Sequence, residues 1–176
     1  MPAEVAKPGD PYVGITVNQK FYVEELLGQG GMGRVYKATH LTLERKVVLK
    51  MLHKTFLSAQ SVVARFHREA KAASRLNHPN SIQIIDFGQA EDGTLFMAME
   101  YLPGRDLARL ITDEYPLNEL RTIRIVAQIL SALAEAHAQG IIHRDLKPEN
   151  VMVEAKRDEP DFVKVLDFGI AKLTDP

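Results

Sequence analysis

The segment His143-Arg144-Asp145-Leu146-Lys147-Pro148-Glu149-Asn150, followed by Asp167-Phe168-Gly169, holds a potential base, a cation and two metal-ligand side chains at the spacing of a phosphoryl-transfer centre. Transfer of a phosphoryl group runs through a loose, highly charged transition state. It needs positioning and charge neutralisation more than covalent catalysis. Carboxylate and amide oxygens are the ligands a hard ion such as Mg²⁺ prefers.

Two upstream features bear on the same chemistry. Gly28-Gln29-Gly30-Gly31-Met32-Gly33 satisfies G-x-G-x-x-G, whose small residues let backbone amides approach phosphate oxygens. By itself the motif is weak, and an ordinary glycine-rich hairpin would carry it equally well. A dinucleotide-binding loop requires a helix to open there, yet Arg34-Val35-Tyr36-Lys37-Ala38-Thr39 alternates like a strand. A Walker-type loop needs Lys followed by Ser or Thr where Arg34-Val35 stands. The second feature is Lys50, which the two-residue strand period places on one side with Val48 and Leu52. A lone strand lysine more often snorkels to water. Glu69 in turn shares a helical stripe with Val62, Phe66, Ala73 and Leu76. A surface pair with Arg65 would not explain that stripe, whereas a Glu69–Lys50 ion pair would, and would hold the ammonium where it meets the α- and β-phosphates.

The elements that must position these residues follow from period and punctuation. Residues 1–20, with several prolines and glycines, read as an extension with a short strand near Val13–Val17. Tyr22–Leu27, Val35–Thr39 and Lys46–Leu52 read as consecutive antiparallel strands, Ser61–Leu76 as a helix, and Ile82–Phe87 and Leu95–Met99 as two more strands. Asp106–Ile111 is expected to be a short helix and Leu117–Gln139 a long amphipathic one ended by Gly140. Glu154–Asp161 reads as a charged, solvated hairpin loop between the two metal-ligand motifs.

Composition narrows the function classes. The 176 residues suit about one domain, and 45% hydrophobic content can supply a core. A net charge of −1 with no long basic run argues against nucleic acid as a partner. The lack of cysteine excludes a disulfide framework and a thiolate zinc site, and the histidines at 40, 53, 67, 78 and 137 lack a paired metal spacing. No apolar run approaches a membrane span, so a cytoplasmic protein is expected.

In this order, the glycine-rich strand-turn-strand, Lys50, Glu69, His143–Asn150 and Asp167–Gly169 resemble the eukaryotic-type protein kinase family, from Phe21 to the last residue. The match is to a known template. The resemblance implies an α+β, bilobal kinase-like fold, with an antiparallel-sheet N-lobe and hinge over 21–102 and a partial, mainly helical C-lobe over 103–176. It implies ATP and Mg²⁺ as cofactors, with Mn²⁺ as the alternative ion. Asp145 would accept or orient the proton of the substrate hydroxyl, and Asn150 and Asp167 would hold the metal. Lys147 resembles the lysine of the serine/threonine branch that contacts the transferring phosphate, so the partner would be a protein Ser or Thr hydroxyl. The Gly-Gly-Met-Gly-Arg-Val-Tyr wording and Arg65–Ala70 resemble bacterial members. Met99-Glu100-Tyr101-Leu102 resembles the hinge, with Met99 behind the adenine and the backbones of Glu100 and Leu102 contacting it. Leu27, Val35, Val48 and Met152 would sandwich the base, Val48 being larger than the usual alanine. His143 is expected to shape its loop by packing, Phe168 to fill an apolar site, and Arg144 to pair with an activation-loop phosphate.

The chain stops seven residues after Gly169, with Thr174 the one hydroxyl residue beyond the motif. The expectation is therefore an N-terminal part of a kinase catalytic domain, with the apolar face of helix 117–139 exposed and weak stability as a lone chain. The alternatives are a nucleotide-binding regulatory module or inactive remnant, and a pure interaction domain, which would have no need for Lys50, Glu69, Asp145, Asn150 and Asp167 together. Oligomeric state is left open by the residues.

Overall fold

The structure is a computed structural model that describes residues 9–31, 33–55, 60–156 and 158–168, with the side chains at 60, 61, 65 and 69 outside that description. The chain divides into two compact units, one of residues up to Ala64 with Ile85–Tyr101, the other of Arg65–Ile84 with Leu102 onward.

The first unit is built on strands β1 (Thr16–Val17), β2 (Phe21–Gly30), β3 (Gly33–His40) and β4 (Arg45–Leu52), with β5 (Ile84–Gln89) and β6 (Leu95–Glu100) returning after helix α1 (Gln60–Ala73). The sheet order is β1-β2-β3-β4-β6-β5, and the β1/β2, β2/β3, β3/β4 and β4/β6 pairs are antiparallel. Strand alternation turns Tyr36 and Ala38 of β3, and Val47, Leu49 and Met51 of β4, into one core with Phe21, Val23, Phe96 and Ala98. Each of the larger aliphatic and phenylalanine side chains contributes roughly 1.5–3 kcal/mol by leaving water. Tyr12 and Val17 are buried in the same core, and Val17 pairs with Phe21 across β1 and β2. The chain ahead of Phe21 therefore packs on the sheet from Tyr12 onward.

The second unit contains β7 (Arg105–Asp106), α2 (Leu107–Glu114), α3 (Glu119–Ala138), β8 (Val151–Lys156) and β9 (Glu159–Val165). Asp106 caps α2 by accepting from the Arg109 N–H at 2.8 Å, and Asn118 caps α3 by accepting from the Leu120 N–H at 2.9 Å. Gly140, at φ +73°, takes the left-handed conformation that ends α3. Ile125, Ala132 and Ala136 of α3 share a core with Val151, Val153, Val163 and Val165. The other face of α3 leaves Leu120, Ile123, Val126 and Leu130 exposed.

The three-stranded sheet β7-β8-β9 corrects the expectation of a solvated loop over Glu154–Asp161. Charge masked the strands there, because the buried valines of β8 and β9 flank the stretch and the ladder they start continues to Lys156↔Glu159. Asp161 is itself buried, and its carboxylate takes a bidentate pair of hydrogen bonds from Arg121 Nε and Nη2, both at 2.8 Å. Glu114 accepts from the remaining Arg121 Nη1 and from Arg105, closing a network across β7, α2, α3 and β9. Arg121→Ala would leave the Asp161 carboxylate unpaired, an expected loss of about 3 kcal/mol read as a lowered denaturant midpoint.

Candidate functional site

In the first unit, cross-strand register shows which side chains share a face. Gly28 lies opposite Val35, Val35 opposite Lys50, and Lys50 opposite Met97, so these four form one row across β2, β3, β4 and β6. Lys37, Val48 and Met99 form the next row. Val47, Leu49 and Met51 point to the opposite, core side. Lys50 thus sits among Val35, Val48, Met97 and Met99, as its strand period predicts. Met97 escaped the sequence reading because β6 is buried at five consecutive residues and shows no alternation. Leu27 is half-exposed, and Glu100 ends β6 opposite Val47.

The glycine turn joins β2 to β3 between Gly30 and Gly33, a paired set in register. The glycines differ in what constrains them. A Cβ on Gly33 would stand 2.0 Å from the Met51 carbonyl oxygen, whereas one on Gly28, Gly30 or Gly31 would meet nothing within 4 Å. Gly33 is therefore required by the fold, and the other three leave open the space in which a phosphate could meet backbone amides. Gly33→Ala is expected to destabilise the protein by about 2 kcal/mol or more, because backbone atoms must move. Gly30→Ala should leave the melting temperature unchanged and weaken nucleotide binding. Thermal melts beside nucleotide titrations check both.

In the second unit, Pro148–Asn150 forms a 3₁₀ turn leading into β8, and Val151 pairs with Val165 at the end of β9. That pairing sets the segments that carry Asn150 and Asp167 side by side, with the Leu166 N–H donating to the Asn150 carbonyl at 2.8 Å. Asn150 Nδ2 donates to the backbone oxygen of Asp145 at 2.8 Å and to its Oδ2 at 3.0 Å. Lys147 Nζ lies 3.0 Å from the same Oδ2. Asp145, Lys147 and Asn150 are thereby brought together. Arg144 and Asp167 both have positive φ, 65° and 56°, an uncommon conformation for residues with side chains.

His143 is buried, with Nε2 at 2.6 Å from the Leu166 carbonyl. Its Nδ1 accepts from the Asp145 N–H at 3.3 Å, so the ring proton belongs on Nε2 and is donated to Leu166. The ring packs 5.0 Å from that of Phe168, which is buried in the core with Ala73, Leu76 and Leu107. His143 thus links the loop carrying Asp145 to the residues either side of Asp167. It is a packing and hydrogen-bonding residue.

The Lys147 ammonium beside Asp145 holds its carboxyl below the usual carboxylate range, with Asn150 adding to the effect against a partial opposing desolvation. Asp145 raises Lys147 in return. The pair keeps opposite charges at neutral pH. With Nδ2 spent on Asp145, Asn150 has its Oδ1 left for a cation, and with the Asp167 carboxylate it offers the hard oxygen ligands that fit Mg²⁺. Among the described residues no cluster of three or more His, Asp or Glu could enclose a metal unaided. The Glu69 side chain and Gly169 lie outside the described residues, so the Lys50–Glu69 pair is not part of this geometry. Leu102 and Met152 belong to the second unit, where both are partly buried.

The chain matches the protein kinase domain family over residues 21–176. It is 65% identical over 166 residues to the serine/threonine-protein kinase pkn3 of Myxococcus xanthus, covering 94% of this chain and 30% of that protein. It is 38% identical over 159 residues to the serine/threonine-protein kinase PrkC of Bacillus subtilis, covering 90% of this chain and 24% of that protein. Among solved structures, a double mutant of the Mycobacterium tuberculosis PknI kinase domain matches with a TM-score of 0.79 at 32% identity, covering 93% of this chain and 64% of that one. The chain therefore spans less than a third of the length of these curated relatives.

Proposed function

This chain belongs to the protein kinase family, and we propose that the protein carrying it transfers the γ-phosphoryl group of ATP to a Ser or Thr hydroxyl of a protein substrate. The observation that carries the reading is the Asp145–Lys147–Asn150 cluster, in which an ammonium and an amide each lie 3.0 Å from the same carboxylate oxygen. The Asp145 carboxylate orients the attacking hydroxyl and takes up its proton as the oxygen bonds to γ-phosphorus. The bond from phosphorus to the β,γ-bridging oxygen breaks, and ADP leaves. Lys147, 3.0 Å from Asp145 before substrate arrives, is placed to transfer its contact to the phosphoryl oxygens as charge develops there. Asn150 and Asp167 hold Mg²⁺, which when bound neutralises the phosphate oxygens.

Lys50 meets the α- and β-phosphates, and the amides around Gly28, Gly30 and Gly33 cover the phosphate chain. Leu27, Val35, Val48 and Met99 give adenine apolar contact, and the backbone of Glu100 gives it a hydrogen bond. The segments 21–102 and 103–176 act as N-lobe with hinge and as the catalytic part of the C-lobe. No helix among the described residues is long and apolar enough to cross a membrane, and the ATP requirement is met in the cytoplasm, where we place this site.

The test is incubation of the full-length protein with Mg²⁺ and γ-labelled ATP, with and without a generic Ser/Thr protein substrate, followed by phosphoamino-acid analysis. Label on Ser or Thr supports the assignment. Nucleotide binding with no transfer would instead identify a nucleotide-binding regulatory module.

A further inference from the structure

The glycine turn has few supports of its own. Gly30 and Gly31 have open space where a Cβ would be, and beside the β2/β3 ladder, which ends at Gly30↔Gly33, the described side-chain ties near the turn are the His53 Nε2 contact to the Gly30 carbonyl at 3.1 Å and the Arg34 Nε–Gln29 Oε1 bond at 3.3 Å. Where the turn stands therefore depends on where β3 is held. The ladders to β2 and β4 hold β3 along its length, and the chain around Asp10 adds a side-chain grip on Arg34 and Tyr36 at the end next to the turn.

Asp10 uses both carboxylate oxygens. Oδ1 accepts from the backbone N–H of Tyr12 at 2.9 Å and of Val13 at 3.2 Å, which folds the segment into a tight turn. Oδ2 accepts from the Tyr36 hydroxyl at 3.1 Å and lies 3.6 Å from Arg34 Nη1. Arg34 and Tyr36 are alternate residues of β3, facing away from the Val35–Lys50 row, so Asp10 grips the strand from behind the nucleotide face. The Asp10 side chain is only 14% exposed, which shields these bonds from water.

The far end of the segment is anchored as well. Tyr12 stacks edge-on against Tyr36 at 5.8 Å, and its hydroxyl lies 2.8 Å from Asp92 Oδ2 and 2.7 Å from Thr94 Oγ1. Asp92 also pairs with Lys54 at 2.8 Å. Burial works against its ionisation, yet the bonds from Lys54, Thr94 and Tyr12 hold its carboxyl well below the usual carboxylate range. Burial pushes the Tyr36 hydroxyl up to about 12, so it stays protonated and donates to Asp10.

We propose that residues 10–13 are a strap that positions the glycine-rich turn for the nucleotide phosphates, with Asp10 as the positioning residue acting through Arg34 and Tyr36. The proposal rests on the kinase reading above. A strap of this kind sets nucleotide affinity while leaving the Asp145 chemistry untouched.

The experiment compares the wild-type full chain with Asp10→Ala and Asp10→Asn, measuring KM for Mg·ATP, kcat, the affinity for a non-hydrolysable ATP analogue and hydrogen exchange of the 33–37 amides. Asp10→Ala is expected to raise KM and weaken the analogue about tenfold, with kcat within about twofold, and to speed amide exchange in β3. Asp10→Asn keeps the Oδ1 acceptor for Tyr12 and Val13 but places an amide NH2 where Oδ2 meets Tyr36 and Arg34, so it should keep the turn at 10–13, lose the grip on β3 and weaken nucleotide binding nearly as much as Asp10→Ala. Faster exchange with unchanged KM and analogue binding would reduce the segment to a purely structural element and overturn the proposal. So would variants that match a nucleotide-binding wild type in every readout. Failure of the kinase reading shows elsewhere, in a wild-type protein that binds no nucleotide, and would overturn the strap with it.

Discussion

Asp145→Asn is expected to lower phosphoryl transfer by roughly 10²–10⁴-fold while leaving nucleotide affinity within a few-fold of wild type. The substitution is isosteric and its position is half-exposed, with 42% of the side chain accessible, so the fold has little stake in the charge. Asn retains an oxygen to accept from Asn150 Nδ2 but loses the basicity that takes up the hydroxyl proton and the charge that pairs with Lys147. A parallel melting curve should move by no more than a few degrees. The pH dependence carries the same logic with a definite sign. Because Lys147 depresses Asp145, the base form persists through neutral pH and is lost only as pH falls through a value below the ordinary carboxylate range. Lys147→Ala removes the leading cause of that depression, so the acid limb of kcat/KM should move to higher pH, beside a fall in the maximal rate. An acid limb that stays in place would remove Lys147 as the group that tunes Asp145.

Asp167→Asn is expected to reduce Mg²⁺-dependent transfer by about 10³-fold, the equivalent of about 4 kcal/mol of lost charge stabilisation at the phosphates. Here the choice of substitution matters. Asp167 has φ +56°, a conformation Asn tolerates and Ala reaches only with strain of about 1–2 kcal/mol, so Asp167→Ala would confound metal loss with backbone destabilisation. The decisive readout is the metal dependence of nucleotide binding. Wild-type affinity for the ATP analogue should fall when Mg²⁺ is chelated, whereas the Asp167→Asn protein should bind weakly with or without the ion. A variant that retained a full Mg²⁺ response would show that Asp167 is not a ligand, and would leave Asn150 without its proposed partner.

These predictions rest on residues whose types were legible long before their geometry. Strand period placed Lys50 beside Val48, and the register of β3, β4 and β6 puts both in the rows that contain Val35, Met97 and Met99. Local punctuation likewise announced the end of α3, through Gly140 after its last turn, whereas the start was read at Leu117 and the Asn118 cap went unread. Where charge and period disagreed, the reading went astray. Asp161 looked solvated because its neighbours are charged, and only the arrival of Arg121 from α3, forty residues away in sequence, makes its burial affordable. The same limit hid the strap. Nothing local to Asp10 announces contacts with Arg34 and Tyr36, and a stretch with several prolines and glycines invites a linker reading.

The order and types of Gly28–Gly33, Lys50, Asp145, Asn150 and Asp167 could be read from the chain alone because the chemistry of phosphates and hard cations restricts which side chains can serve, and because strand and helix periods are local properties. Contacts between distant segments set the rest: the bond from Asn150 to Asp145, the His143 link to Leu166, the buried Arg121–Asp161 pair and the grip of Asp10 on β3. Each depends on a partner that period and propensity do not specify, brought within hydrogen-bond distance by packing of the two cores.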